Sequence, residues 1–147
     1  MTDTPDLLGS ISPFDRVLGL RVTSAGPDEV VAELPVTEGL LQAHGILHGG
    51  VYCAAVETVT SVGATLQVGL DERVVGMGNH TRFLRAVTGG SLTVRATPES
   101  RDGQVLVWAA RVTDEDGRLV AEGLVTLFHL DRAAPRPGAV TGTTVEA

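Results

Sequence analysis

One carboxylate, Glu57, lies near the middle of a long apolar stretch, residues 47–64 (LHGGVYCAAVETVTSVGA). On a helix, its neighbours three and four positions away would all be small: Gly50, Cys53, Ala54, Thr60, Ser61 and Ala64. A solvent-facing stripe usually carries several charged residues, and a buried ion pair would need a partner from elsewhere in the chain. The third alternative is a carboxylate that faces a space left open for a ligand or a partner helix. The residues alone leave these three interpretations open.

The residues His48-Gly49-Gly50 predict a helix start whose backbone N–H groups point outward. Such a terminus can polarise a carbonyl and stabilise the oxyanion that forms when the carbonyl is attacked. On these residues alone, an ordinary turn into a helix is the alternative. Gly49 and Glu57 are eight positions apart, about 12 Å along a helix, which is too far for both to reach one carbon. If they cooperate, the carboxylate comes from a second copy, and a two-fold dimer has two equivalent sites.

The rest of the chain predicts the elements that position these groups. We expect a short helix over 12–19, a hairpin of two strands around Gly26-Pro27-Asp28, a loop over 37–46 and a long helix over about 48–68. Alternating apolar residues predict four further strands, over 74–87, 91–100, 104–114 and 118–130. One apolar helix and about six mostly antiparallel strands indicate an α+β protein in which a curved sheet wraps a central helix. Residues 1–11 are expected to be a flexible lead-in and residues 131–147 a disordered tail.

The composition excludes several classes of function. The chain of 147 residues has room for one domain, and its net charge of -7 disfavours nucleic acid as a partner. All 11 basic residues are arginine, so neither a Schiff-base lysine nor a P-loop lysine exists. Cys53 is the only cysteine, which excludes an intrachain disulfide and a multi-cysteine zinc site. The first residues do not read as a signal peptide and Glu57 interrupts the longest apolar stretch, so we expect a cytoplasmic protein with no membrane span.

The stretch LLQAHGILHGGVYCAAVETVTSVGAT, followed by VVGMGNHTRFLRAV, resembles the hotdog-fold acyl-CoA thioesterases of the phenylacetate-pathway type. Within that family it is most similar to the bacterial 4-hydroxybenzoyl-CoA thioesterases that use glutamate. The combination of Gln, HGG, an acid nine residues after the His, and NHTxFxR carries the likeness, which covers residues 12–130. It implies a hotdog fold and hydrolysis of an acyl-CoA, with an aryl or hydroxyaryl group favoured, to free acid and CoA. It also implies a homo-oligomer, with a dimer of dimers favoured, and no cofactor or metal.

The resemblance also implies roles for individual residues. Glu57 would act as nucleophile or general base, the Gly49 N–H would bind the thioester oxygen, and Gln42 would orient the thioester or its attacking water. Ser61 stands where related enzymes often have threonine, and His48 is expected to order the helix entry. Further contacts with the CoA and acyl groups are expected from residues of the helix start and of two strands: Gly50, Arg73, Val74, Val75, Gly76, Asn79, His80, Arg85, Gln104, Val105, Leu106, Val107, Trp108 and Ala109.

Several alternatives stay open at this point. Arg82 and Arg85 could bind the CoA phosphates or form a solvated strand face, with Arg85 preferred. Asn79-His80-Thr81 could pair structurally or contact the ligand. As a whole, the chain could instead be a noncatalytic acyl-CoA-binding module or a hotdog hydratase or dehydratase, although the Asp and His pairing of the latter is not found.

Overall fold

The structure, a computed structural model, describes residues 12–130. Its helices are α1 (Pro13–Leu18) and α2 (Gly49–Val68), with a 3-10 turn at Glu38–Leu40 between them. Six strands complete the fold: β1 (Arg21–Ala25), β2 (Val30–Pro35), β3 (Arg73–Phe83), β4 (Ser91–Asp102), β5 (Val105–Thr113) and β6 (Leu119–Leu130). The expected lead-in over 1–11 and tail over 131–147 lie outside the described residues. Within residues 12–130 no helix is both long and apolar enough to cross a membrane.

The six strands form one sheet in the order β1-β2-β4-β5-β6-β3, and every neighbouring pair is antiparallel. The helix α2 packs against this sheet and contacts all six strands. The expected hotdog architecture, a sheet around one long helix, is therefore confirmed. Among the strands of residues 12–130, only β6 pairs with β3, so β3 is an edge strand, and its register shifts between Gly76 and Gly78.

The core forms where the apolar faces of the strands meet α2. Alternate residues are buried in the first part of β4 and along β5, as their period-two pattern predicted. The largest buried side chain is Trp108, whose ring packs directly on Gly63 of α2. A Cβ at position 63 would lie 2.3 Å from the ring, so the close approach of helix and strand requires glycine there. The indole N–H donates to Gln67 Oε1 at 3.2 Å, which satisfies the only polar atom of the ring.

The short helix α1 is fixed to α2 through a buried carboxylate. Ser12 caps α1, because its hydroxyl accepts from the Asp15 N–H while the Asp15 side chain accepts from the Ser12 N–H. Asp15 is 3% exposed, and its Oδ1 accepts a hydrogen bond of 2.6 Å from the Thr58 hydroxyl of α2. The capping group thus also holds the two helices together.

Strand β3 is open over much of its length. All residues from 75 to 80 are exposed, so the alternation seen in β4 and β5 is absent here. Met77, for example, is 63% exposed. Because β3 is an edge strand, its outer backbone groups also lack a neighbouring strand within residues 12–130.

Candidate active site

His48 organises the start of α2. Its Nδ1 accepts a hydrogen bond of 2.8 Å from the Gly50 N–H, and its carbonyl accepts from the Val51 N–H at 2.9 Å. His48 is therefore the helix N-cap, as expected for a residue that orders the helix entry. The Gly49 N–H, by contrast, has no hydrogen-bond partner within residues 12–130. It lies at the positive end of a 20-residue helix and can donate to an oxyanion.

A cleft of about 380 Å³ lies beside this helix start. It brings together three residues predicted from the sequence, Gln42, Gly49 and Arg85. The Gln42 side-chain oxygen accepts a hydrogen bond from the His44 N–H. The remaining walls are mostly apolar: Ile46, Leu47, Tyr52, Phe83, Leu84 and Ala86. A mostly apolar cleft with a few donors and one cation suits an acyl group attached to an anionic carrier.

An aromatic pair in this cleft was not singled out from the sequence. Phe83 and Tyr52 lie with their ring centroids 5.6 Å apart. The Phe83 ring also covers Gly49, where a Cβ would come within 2.8 Å of it. Phe83 belongs to the quoted NHTxFxR motif, so its position was visible, but only the fold shows that it reaches the helix start.

Asn79 of β3 holds the carboxylate of Glu57. Its Nδ2 donates to Glu57 Oε2 and to the Cys53 carbonyl, both at 3.0 Å. Its Oδ1 accepts from the Thr81 hydroxyl at 2.7 Å, which fixes the orientation of the amide. Glu57 is half-buried, and the partner that binds one of its carboxylate oxygens is a neutral amide. For Asn79, the structure shows a contact with Glu57.

Gly76 makes room for the other carboxylate oxygen. A Cβ at position 76 would lie 2.1 Å from Glu57 Oε1, so any other residue would displace the carboxylate. Glu57 therefore rests on the backbone of β3 with one oxygen held by Asn79 and the other above Gly76. A carboxylate held in this way can act on an electrophile, either directly or through a water molecule.

The two chemical groups lie at opposite ends of one seam between α2 and β3. Gly76 and Asn79 contact Glu57, whereas Phe83, which lies further along β3 at its end, contacts Gly49. The strand therefore runs antiparallel to the helix. The helix is unbroken from Gly49 to Val68, so the eight-residue spacing does correspond to about 12 Å. Within one chain, Gly49 and Glu57 do not reach the same atom.

Comparison with known proteins identifies the family. Residues 44–121 match the thioesterase superfamily, and this range contains Gly49, Glu57 and Asn79. The chain belongs to this superfamily. Rv1847 of Mycobacterium tuberculosis is 39% identical over 132 residues, which are 88% of this chain and 94% of the relative. Its structure superposes with a TM-score of 0.80 and covers 86% of this chain and 100% of that one.

Two further relatives extend the comparison. The structure of S. sahachiroi AziG is 44% identical, with a TM-score of 0.78, and covers 81% of this chain and 97% of that one. The 1,4-dihydroxy-2-naphthoyl-CoA hydrolase of Listeria monocytogenes is 30% identical over 114 residues, 78% of this chain and 93% of the relative.

In this thioesterase-superfamily chain, one predicted site residue of β3 lies on the face of the sheet opposite Glu57. His80 lines a groove of about 370 Å³ on the other side of the sheet, together with Arg82 and Glu122. Successive strand residues face opposite sides, so Asn79 can contact Glu57 only if His80 points away. His80 therefore faces away from Glu57, and its contact with a substrate stays a prediction. Arg82 also belongs to this groove, 3.6 Å from Glu122, so Arg85 is the one of the two in the cleft.

The segment 104–109 was expected to line the CoA and acyl channels, and this is wrong for Leu106 and Trp108. Both side chains are fully buried in the core. The residues between them, Val105, Val107 and Ala109, are half-buried and alternate with them along β5. Gln104 donates from Nε2 to the His129 carbonyl at 3.0 Å and so ties the start of β5 to the end of β6. One strand cannot present six consecutive side chains to one channel, because its faces alternate.

The other predicted residues lie on α2 or in the first part of β3. Ser61 is half-buried on the turn of α2 after Glu57. Arg73, Val74 and Val75 lead β3 up to Gly76; Val74 packs against the core and Val75 is exposed. Gly50 is used by the His48 cap. Over residues 12–130, no group of three or more His, Cys, Asp or Glu side chains could hold a metal ion.

Proposed function

We propose that this chain hydrolyses acyl-CoA thioesters to the free acid and CoA, with Glu57 as nucleophile or general base and the Gly49 N–H as oxyanion donor. The observation that carries the proposal is the Glu57 carboxylate, fixed by Asn79 above Gly76 on the same helix that begins with the unpartnered Gly49 N–H. Membership of the thioesterase superfamily supports it. A relative named as a 1,4-dihydroxy-2-naphthoyl-CoA hydrolase favours aryl or hydroxyaryl acyl groups, in line with the resemblance to 4-hydroxybenzoyl-CoA thioesterases.

The chemistry needs only these groups. In one route, Glu57 takes a proton from water as the water oxygen attacks the thioester carbon, and the C–S bond breaks to release CoA thiolate. In the other, a carboxylate oxygen attacks the carbon, the C–S bond breaks to release CoA thiolate, and water then cleaves the resulting mixed anhydride to regenerate Glu57 and release the acid. In both, negative charge develops on the carbonyl oxygen, where a helix-start N–H stabilises it. Gln42, in the same cleft, would orient the thioester or the water.

The proposed site lies between two chains. Because β3 runs antiparallel to α2, a two-fold axis near the middle of β3 would bring the Phe83 and Gly49 end of one copy beside the Gly76 and Glu57 end of the other. The open edge and exposed surface of β3 support this arrangement, because a second copy could extend the sheet there. Each dimer would then have two complete sites. A dimer of such dimers and a cytoplasmic location belong to the same proposal.

The test is release of free thiol from a panel of acyl-CoAs, aromatic and aliphatic, by the wild type and by Glu57→Ala side by side. We expect release from an aromatic thioester that Glu57→Ala loses by at least about 100-fold. Binding of CoA to both proteins, followed by calorimetry, controls for folding and ligand access. If the wild type binds CoA and cleaves no thioester, the chain is an acyl-CoA-binding module and the proposal fails.

A further inference from the structure

Thr81 supports the amide that binds Glu57. It lies two residues after Asn79 on β3, so both side chains are on the face of the strand that meets α2. The Thr81 hydroxyl donates to Asn79 Oδ1 at 2.7 Å. Asn79 is exposed, whereas Thr81 is half-buried and, as a β-branched residue, stiff at its first side-chain torsion. The bond therefore ties an exposed amide, which could otherwise take several orientations, to a side chain with less freedom.

Gly123 of β6 provides the space that the Thr81 hydroxyl occupies. Gly123 is the partner of Thr81 in the register of the two strands. A Cβ at position 123 would lie 2.7 Å from Thr81 Oγ1 and 2.9 Å from Val56 Cγ1, so a side chain there would displace both. Val56 is fully buried and directly precedes Glu57 on α2. The same glycine thus allows the Thr81 hydroxyl and the helix turn that carries Glu57 to pack closely at one point.

The donors and acceptors of this network allow one orientation of the Asn79 amide. The Cys53 carbonyl and the ionised Glu57 carboxylate can only accept hydrogen bonds, so the amide nitrogen must face them. The amide oxygen then needs a donor, and within residues 12–130 the Thr81 hydroxyl supplies it. A rotated amide would set its oxygen against two acceptors. The Thr81 hydroxyl therefore completes the contacts that keep the Asn79 nitrogen on Glu57.

We propose that Thr81 is a positioning residue, which acts through Asn79 to hold Glu57 Oε2 and to leave Oε1 as the oxygen that reacts. This inference rests on the proposed function, in which Glu57 is the nucleophile or general base. Oε2 accepts from Asn79, whereas no group of residues 12–130 donates to Oε1 above Gly76. A carboxylate that rotates freely would present either oxygen, and small errors of placement slow a reaction strongly. Thr81 makes no hydrogen bond to Glu57 itself, so its effect should pass through Asn79.

The test is a double-mutant cycle of Thr81→Val and Asn79→Ala, in which kcat and KM are measured for the acyl-CoA that the wild type cleaves fastest. Alone, Thr81→Val should lower kcat about 3- to 10-fold and Asn79→Ala about 10- to 100-fold, with KM little changed. In the Asn79→Ala background, Thr81→Val should lower kcat by less than about 1.5-fold, because the bond that it breaks is already absent. Thr81→Ser keeps the hydroxyl and should stay within about twofold of the wild type. Additive losses, or no loss from Thr81→Val alone, would overturn the proposal.

A matched control removes a threonine hydroxyl at the opposite edge of the sheet. Thr23 lies on β1, and its hydroxyl donates to the Val31 carbonyl at 3.2 Å. Thr23→Val makes the same exchange of a hydroxyl for a methyl group and should leave kcat within about 1.5-fold of the wild type. A loss as large as that of Thr81→Val would assign the effect to general strand stability and would contradict the proposal.

A spectroscopic arm tests the network without turnover. Asn79 is the only asparagine of the chain, so protein labelled with ¹⁵N at asparagine Nδ2 gives a single side-chain amide in the NMR spectrum. Glu57→Gln should shift one of its two proton signals and Thr81→Val should shift both, whereas Thr23→Val should shift neither. Unmoved signals in Thr81→Val would overturn the inference even if thioesters are cleaved. Shifted signals in a protein that cleaves no thioester would retain the support of Glu57 by Thr81 and Asn79 and reject the hydrolase.

Discussion

The two ends of the seam between α2 and β3 differ in how far one chain completes them. At the helix start, Gly49 lies beside a cleft lined by residues of the loop before α2, of α2 itself and of the segment that ends β3. At the middle of the helix, Glu57 rests on an edge strand whose residues are exposed from 75 to 80. The first region has the shape of a binding site and lacks a carboxylate. The second has a positioned carboxylate and lacks walls.

Both regions nevertheless depend on a glycine without a side chain. At each end a glycine allows a side chain to pack against the backbone: the Phe83 ring packs on Gly49, and the Glu57 carboxylate packs on Gly76. The helix start (the walled end) has a cleft without a carboxylate, and the middle of the helix (the open end) has a carboxylate on an exposed strand. A site shared between two copies would need this arrangement. Changes at either end should therefore separate binding from chemistry.

Glu57→Gln tests the open end with the largest expected effect. The amide keeps the size of the side chain but can neither accept a proton nor attack a carbonyl. We expect kcat to fall about 10²- to 10⁴-fold, with the affinity for CoA and the melting temperature little changed. Thiol release under saturating substrate measures it. Turnover close to that of the wild type would remove Glu57 from the mechanism.

Gly49→Pro tests the walled end by deleting the backbone donor. Proline is tolerated at the first position of a helix, so the helix should still form. We expect kcat to fall about 10²- to 10³-fold, the usual effect of removing one oxyanion donor. Gly49→Ala is the matched control, because its Cβ also meets Phe83, 2.8 Å away, but the N–H remains. Equal losses in the two variants would assign the effect to the displaced ring.

Mixing the two kinds of defective chain tests whether the ends cooperate across a dimer. In an equal mixture of Glu57→Ala and Gly49→Pro chains, about half of the dimers are mixed and each has one intact site of two. Activity should recover to about a quarter of the wild-type value, from nearly none in either variant alone. Subunit exchange is verified by native mass spectrometry. Full exchange without recovery would contradict a shared site.

The sequence was sufficient for most of the fold. Alternation in β4 and β5 and the apolar length of α2 predicted these elements, because both patterns are local. It also predicted the separation of Gly49 and Glu57, which depends only on the rise of a helix. The role of Asn79 stayed open, because a bond between residues 57 and 79 depends on how strand and helix align. The expectation for Trp108 overlooked the alternation of strand faces, which buries every second side chain of β5.

Gly76→Ala should disturb the carboxylate without removing it. The added methyl group would lie 2.1 Å from Glu57 Oε1, whereas a Cβ at Gly78, two residues along the same strand, would meet nothing within 4 Å. We expect kcat to fall about 10- to 100-fold in Gly76→Ala, as misplacement by about 1 Å does in other enzymes. Gly78→Ala should stay within about threefold of the wild type. Equal effects would mean that the strand edge, rather than the carboxylate, responds to added bulk.

Thr58→Val has the smallest expected effect and leaves both ends in place. It deletes the hydroxyl that donates to the buried Asp15 at 2.6 Å, so the free energy of unfolding should fall by about 1–3 kcal/mol. Thermal or urea unfolding measures this loss. Because this bond involves neither Gly49 nor Glu57, kcat should remain within about twofold of the wild-type value. A large loss of kcat would show that α1 also shapes the site.

The contact between Trp108 and Gly63 gives the protein a built-in optical probe. Trp108 is the only tryptophan of the chain, and it reports from the point where α2 presses on the sheet, six residues after Glu57. Its fluorescence maximum should be blue-shifted in the folded protein and move to the red when the helix separates from β5. Variants at either end of the seam can therefore be checked for helix docking in the assay cuvette, without any label.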